Sequence, residues 1–101
     1  MAEPGLNPTQ RRYLKQLAHP LKPLLQIGKE GCSQAFLAQL LEQLGVHELI
    51  KIRILNNCMA SPEAIREALI QADIALVQKV GHVLTVYKKN EENPKIPMPK
   101  S

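Results

Sequence analysis

Aromatic side chains are scarce: 3% of the 101 residues, with two tyrosines, one phenylalanine and no tryptophan. The core must therefore be aliphatic. Strong base readout by stacking, the usual device for single-stranded RNA, is excluded for want of rings. Cysteine is scarce too. Cys32 and Cys58 read as two reduced thiols, and no C-x-x-C or H-x-x-x-H spacing offers the four ligands of a structural zinc. No apolar run approaches the ~20 residues that span a bilayer. Residues 1–5 have neither a basic region nor an apolar stretch of a secretory leader. The expectation is one soluble cytoplasmic domain, without a membrane partner, bound metal, cofactor or small-molecule substrate, and monomeric.

Positive charge is present and unevenly placed. The net charge is +4. Residues 1–30 hold Arg11, Arg12, Lys15, Lys22 and Lys29 against Glu3 and Glu30; the middle of the chain is balanced or slightly acidic; the last segment is basic again. If the fold joins the two basic ends, they form the footprint of a polyanion binder.

Periodicity gives the order of elements. Asn7-Pro8 caps a first helix, about Pro8 to Ala18, with Tyr13, Leu14, Leu17 and Ala18 on one face and Arg11, Arg12 and Lys15 mostly on the other. His19-Pro20-Leu21-Lys22-Pro23 breaks it, and Leu24 to Ile27 reads as a short buried strand. Ser33 caps a second helix with a stripe of Phe36, Leu37, Leu40, Leu41 and Leu44, and Gly45 is its expected left-handed stop. From Ile50 the chain alternates strictly, isoleucines on one face and Leu49, Lys51 and Arg53 on the other, which predicts a half-buried strand with a basic outer face. Ser61-Pro62-Glu63 starts a third helix running to about Ala72. Residues 75–80 and 83–88 flank Gly81-His82 as a β-hairpin.

The predicted class is α/β, an α+β two-layer domain of order α-β-α-β-α-β-β. Three helices cover a four-stranded mixed sheet, parallel between the first strands and antiparallel in the final hairpin. Residues 1–7 are expected to be flexible, 8–89 to form the domain, and 90–101 to be an extended or mobile tail.

The segment richest in chemistry is Gly28-Lys29-Glu30-Gly31, between the first strand and the second helix. Two glycines remove Cβ atoms that would block close approach to the backbone and permit positive φ. The helix start points N–H groups outward, and Lys29 sits at the tip. Such a loop suits a phosphate. Glu30 would repel one and has to point away.

Four blocks extend this reading. They are Leu17-Ala18-His19-Pro20-Leu21-Lys22-Pro23, Ile27-Gly28-Lys29-Glu30-Gly31, His47-Glu48-Leu49-Ile50-Lys51-Ile52 and the run from Val80 to Lys88. Together, over roughly residues 8–89, they resemble the CRM domain (chloroplast RNA splicing and ribosome maturation), most closely its bacterial stand-alone, YhbY-type form. The resemblance implies an RNA-binding domain of the same element order. It also implies a sheet similar to the C-terminal domain of a translation initiation factor, and a Gly-x-x-Gly loop comparable to that of KH domains. Plant members act in group II intron splicing, and bacterial stand-alone members associate with precursors of the large ribosomal subunit. Two departures stand out. Cys32-Ser33 replaces the usual aliphatic-Thr pair, with the capping oxygen kept. His82 replaces a basic residue at the hairpin turn, which removes a fixed charge there.

The candidate RNA contacts are therefore Gly28, Lys29, Glu30 and Gly31, then Lys22, Arg11, Arg12 and Lys15, with Lys51, Arg53 and Lys88 extending the patch. The expected partner is ribosomal RNA of a large-subunit (50S) precursor, bound by shape and backbone with steep salt dependence. Two rivals stand beside this. The chain would instead be a module docking on a ribosomal protein or assembly factor. Or it would be a small enzyme using His19, His47, His82, Cys32 or Cys58 as acid, base or nucleophile, a reading that no acidic pair or nucleophile motif supports.

Overall fold

A computed structural model describes residues 5–99. Its elements are α1 (Pro8–Ala18), β1 (Pro23–Ile27), α2 (Gln34–His47), β2 (Leu49–Ile54), α3 (Pro62–Gln71), β3 (Ala75–Val80) and β4 (Val83–Tyr87). The caps are the residues that propensity selects. Asn7 and Gln10 form a reciprocal capping box on α1, Ser33 accepts from the Phe36 N–H, and Ser61 accepts from the Ala64 N–H. The sheet has the order β1-β2-β4-β3, with β1 parallel to β2 and the other pairs antiparallel.

The larger core lies on one face. Phe36, Leu40 and Leu44 of α2 and Ile65 and Leu69 of α3 pack on Leu25, Ile27, Ile50, Ile52, Leu84 and Val86. The opposite face is covered by α1, where Leu14 and Ala18 meet Leu49, Val77 and Tyr87. The expected two layers are thus three, because α1 packs on the face of the strands opposite α2 and α3. The helices divide two to one between the faces.

Two further expectations are corrected. Gly45 does not end α2. The helix runs through it to His47, and the left-handed residue is Glu48, at φ 62°. A non-glycine residue in that region is strained by about 1–3 kcal/mol, and what holds it is its carboxylate. Glu48 is fully buried, and its two oxygens accept from the Asn90 (2.6 Å), Lys95 (2.8 Å) and Ile96 (2.7 Å) backbone N–H groups. The tail expected to be mobile is accordingly docked over residues 90–99, with Ile96 and Met98 against the α1 cluster and Gln10 Nε2 donating to the Pro99 carbonyl at 3.3 Å. Residues 1–4 of the expected flexible N-terminus lie outside the described residues; Leu6 joins the same cluster.

The end of α3 repeats the theme. Asp73, at φ 60°, occupies the position glycine usually takes. Its N–H donates to Ile70 O and the Ile74 N–H to Leu69 O, both at 2.9 Å, which closes a Schellman motif. Among the described residues, no helix is long and apolar enough to cross a membrane.

Candidate nucleic-acid interface

The Gly28–Gly31 segment is a tight turn, closed by the Gly31 N–H donating to Gly28 O at 3.0 Å. Its two glycines answer different demands. Gly31 has φ +65°, and a Cβ there would lie 2.8 Å from the Ala60 Cβ. The fold itself therefore forbids a side chain. A Cβ on Gly28 would make only ordinary contacts, 3.8 Å from Leu55 Cδ1. Lys29 and Glu30 are exposed at the tip. The turn is braced from beside: the Leu55 N–H donates to Ile27 O at 2.9 Å, and the Ile54 N–H to His82 O at 2.7 Å. The glycine turn, the β2–α3 loop and the hairpin tip thus share one end of the sheet.

On the α1 face, the register stacks side chains in cross-strand rows. Leu49 and Tyr87 form the first, under α1. Lys51 pairs with Thr85 and Thr85 with Gln78; Arg53 pairs with Val83 and Val83 with Val80. The helix ends at Ala18 and the chain turns away through His19 and Pro20, so α1 leaves the Arg53 row and the two ends of the Lys51 row accessible, with Thr85 buried at the centre of the latter. The two rows floor a groove of about 440 Å³ whose helix-side wall is Lys15 and His19. Lys15, Lys51 and Arg53 all line it and no carboxylate does. The Lys51 ammonium donates to His19 O at 3.4 Å, a long contact that leaves its charge available.

The sequence-predicted residues separate in space. Lys15, Lys51 and Arg53 converge on the groove, and exposed Lys22 adjoins it beside the lining residue Pro23. Arg53 pairs with Gln26, one residue before the strand reaches Ile27 and the glycine turn, so groove and turn are contiguous along β1 and β2. Arg12 is exposed on α1 but does not line the groove. Arg11 points the other way. One guanidinium nitrogen donates to both Leu76 O and Val77 O at 2.7 Å, at the register shift where β3 bulges against β4. A bulge leaves its carbonyls without ladder partners, and Arg11 supplies the donor. Lys88 lies at the far end of the sheet, 3.3 Å from the Asp73 carboxylate. Lys88 therefore does not extend the patch formed by Lys15, Lys51 and Arg53.

Sequence reasoning missed His19, Gln78, Thr85, Val80 and Val83 as groove residues. The alternation of β4 carries part of that signal; the bulge in β3 hides the rest. Tyr87 and Phe36 are both buried, so neither offers a stacking face. The cysteines flank the glycine turn, half-buried on the larger core. Burial, and then the neighbouring Cys58, push the Cys32 thiol above its ordinary pKa, the opposite of an activated nucleophile. Burial, then Glu48 and Glu91, raise the Tyr87 hydroxyl likewise. Among the described residues no three His, Cys, Asp or Glu side chains are grouped to hold a metal ion.

Comparison with known proteins decides the family. The model of the CRS1 / YhbY (CRM) domain matches residues 6–88. The chain belongs to that family. CRM relatives include a Bacillus subtilis protein named "Probable RNA-binding protein YqeI", 37% identical over 91 residues, which are 89% of this chain and 95% of the relative. A Haemophilus influenzae protein named "RNA-binding protein" is 34% identical over 96 residues, 94% of this chain and 96% of the relative. The solution structure of a Staphylococcus aureus protein, described as a candidate RNA binder, superposes with a TM-score of 0.76 at 35% identity, covering 94% of this chain and all of the other. The element order and mixed sheet expected from the CRM resemblance are those found.

Proposed function

We propose that this CRM domain is a non-catalytic RNA-binding protein acting on ribosomal RNA during large-subunit assembly in the cytoplasm. One observation carries the reading. Three cations from two elements, Lys15, Lys51 and Arg53, converge on one open groove without a carboxylate, next to a turn that exposes Lys29. Lone surface lysines are ordinary, but an acid-free convergence at a concavity holds a standing positive field for a polyanion. The glycine turn adds to it. The fold requires glycine at 31 but not at 28, so the bare backbone at Gly28 is free to serve a ligand that approaches closely. The relatives named for RNA binding support the same partner.

The test is a salt series of binding to structured fragments of large-subunit ribosomal RNA. The wild type is expected to give a log-log slope of about −3 to −5. Replacing Lys29, Lys51 and Arg53 together with alanine is expected to flatten it. Gly28→Ala is expected to weaken binding while the domain stays folded. A shallow wild-type slope, with binding to assembly particles that naked RNA does not reproduce, would instead mean docking on a protein.

A further inference from the structure

The groove differs from a simple phosphate-tracking surface, because two of the six residues that floor it, Val80 and Val83, are apolar. Its cations stand along β2 and α1. Across the strands the Arg53 row ends in Val83 and Val80, while the Lys51 row ends in Thr85 and Gln78, and Val80 is 62% exposed on an edge strand. Val80 and Val83 pair side by side in the Arg53 row, so the apolar surface beside the cations is a contiguous pair rather than a lone exposed side chain. A ligand that matches both halves has an anionic end and a flat apolar end within one small body. The volume of about 440 Å³ falls in the range of small-ligand sites, about 300–1,000 Å³. Gln78, half-buried at the edge of the Lys51 row, offers an amide to a base edge or a ribose, while Thr85 beside it is buried.

We propose that the groove is a subsite for one unstacked nucleotide of the bound RNA. Its phosphate lies on Lys51 and Arg53, and its base lies on Val80 and Val83. This inference rests on the RNA-binding reading above and narrows it. Bases in an A-form duplex are stacked and paired, and their faces cannot reach a valine floor; a bulged, looped or single-stranded nucleotide can. The site lacks an aromatic platform, so it discriminates single-stranded from paired RNA more than one base from another. Contiguity with the glycine turn through Arg53 and Gln26 lets the same strand occupy both.

The experiment compares two probes on the full chain: single-stranded hexauridylate and a fully paired RNA duplex of similar length. Amide shifts are followed by NMR and affinity by fluorescence anisotropy. Hexauridylate is expected to move the signals of Val80, Val83 and Thr85, and the duplex to leave them in place. Val80→Asp is expected to lower hexauridylate affinity tenfold or more. Val46→Asp puts the same charge on an exposed position of α2 and is expected to lower it less than threefold. The spectrum of each variant reports whether it is folded, and Lys51→Ala, which leaves Val80 and Val83 in place, is a second probe expected to weaken hexauridylate binding. Unmoved groove signals, or equal effects of Val80→Asp and Val46→Asp, would overturn the subsite even where structured ribosomal RNA still binds. Failure of the wild type to bind any of these RNAs at low salt would remove the subsite and the RNA-binding reading together.

Discussion

The two faces of this sheet are built from the same strands and come to opposite ends. On one, Ile50, Ile52, Leu84 and Val86 are sealed by α2 and α3. On the other, the single helix α1 covers the Leu49–Tyr87 row and leaves the groove over the next two, where Thr85 is the one buried floor residue. Strand β2 shows the contrast within adjacent residues: Ile52 is fully buried, while Lys51 and Arg53 on either side line the groove. A two-to-one division of helices leaves one face with more sheet than cover, and that surplus carries the charge. Burial and positive charge thereby fall on alternate residues of one strand.

The sharpest break of this comparison is Ile52→Ala against Lys51→Ala. Removing the isoleucine side chain is expected to cost about 2–5 kcal/mol, for lost burial and a residual cavity. Lys51→Ala is expected to stay within about 0.5 kcal/mol while weakening RNA binding. Urea unfolding of both variants checks the first pair of values. Comparable losses at the two positions would erase the division between faces.

Next in size is Glu48→Ala, which tests how the α1 face is finished. Hydrogen bonds to a charged acceptor contribute about 1.5–3 kcal/mol each. The freed tail N–H groups can recover water, however, so the expected net loss is about 2–4 kcal/mol. Hydrogen exchange should show the Asn90, Lys95 and Ile96 amides losing protection while those of α2 and α3 keep theirs. Unchanged protection at those three amides would mean that Glu48 does not hold the tail.

The smallest effect separates two neighbours that look alike in sequence. Arg11→Ala should cost about 1–2 kcal/mol, since it strips donors from part-buried carbonyls at the β3 bulge. Arg12→Ala is expected to be neutral within about 0.5 kcal/mol. Thermal unfolding of the pair decides it, and equal melting temperatures would remove the structural role given to Arg11.

Much of this architecture was legible because it is local. Asn7, Ser33 and Ser61 cap as their side chains dictate, the isoleucine alternation of β2 is a period-two signal, and Gly81-His82 makes its hairpin. What escaped depends on contacts distant in sequence. Gly45 reads as a helix stop, but nothing local reports that Glu48 will meet backbone N–H groups more than 40 residues away and make the left-handed turn itself. Arg11 and Arg12 differ by one position on a helix, and only the bulge in β3 decides which is consumed by the fold. Of the site, Lys15, Lys51 and Arg53 could be named from charge and alternation. Val83 and Thr85 follow the alternation of β4, but Gln78 and Val80 could not be named, because the bulge shifts β3 by one residue against the strand beside it.

The docked tail has a consequence for how this domain can be joined to other things. Gln10 and Pro99 share a hydrogen bond, and Leu6 packs in the same cluster as Ile96 and Met98. Both ends of the described chain therefore leave from one flank, near Glu48, at the opposite end of β2 from the glycine turn. A fluorophore or surface tether attached at Leu6 or Met98 would sit on that flank, among residues that do not line the groove. Splicing the two ends with a short linker and reopening the chain at an exposed loop is geometrically open to this fold, since the ends already lie side by side.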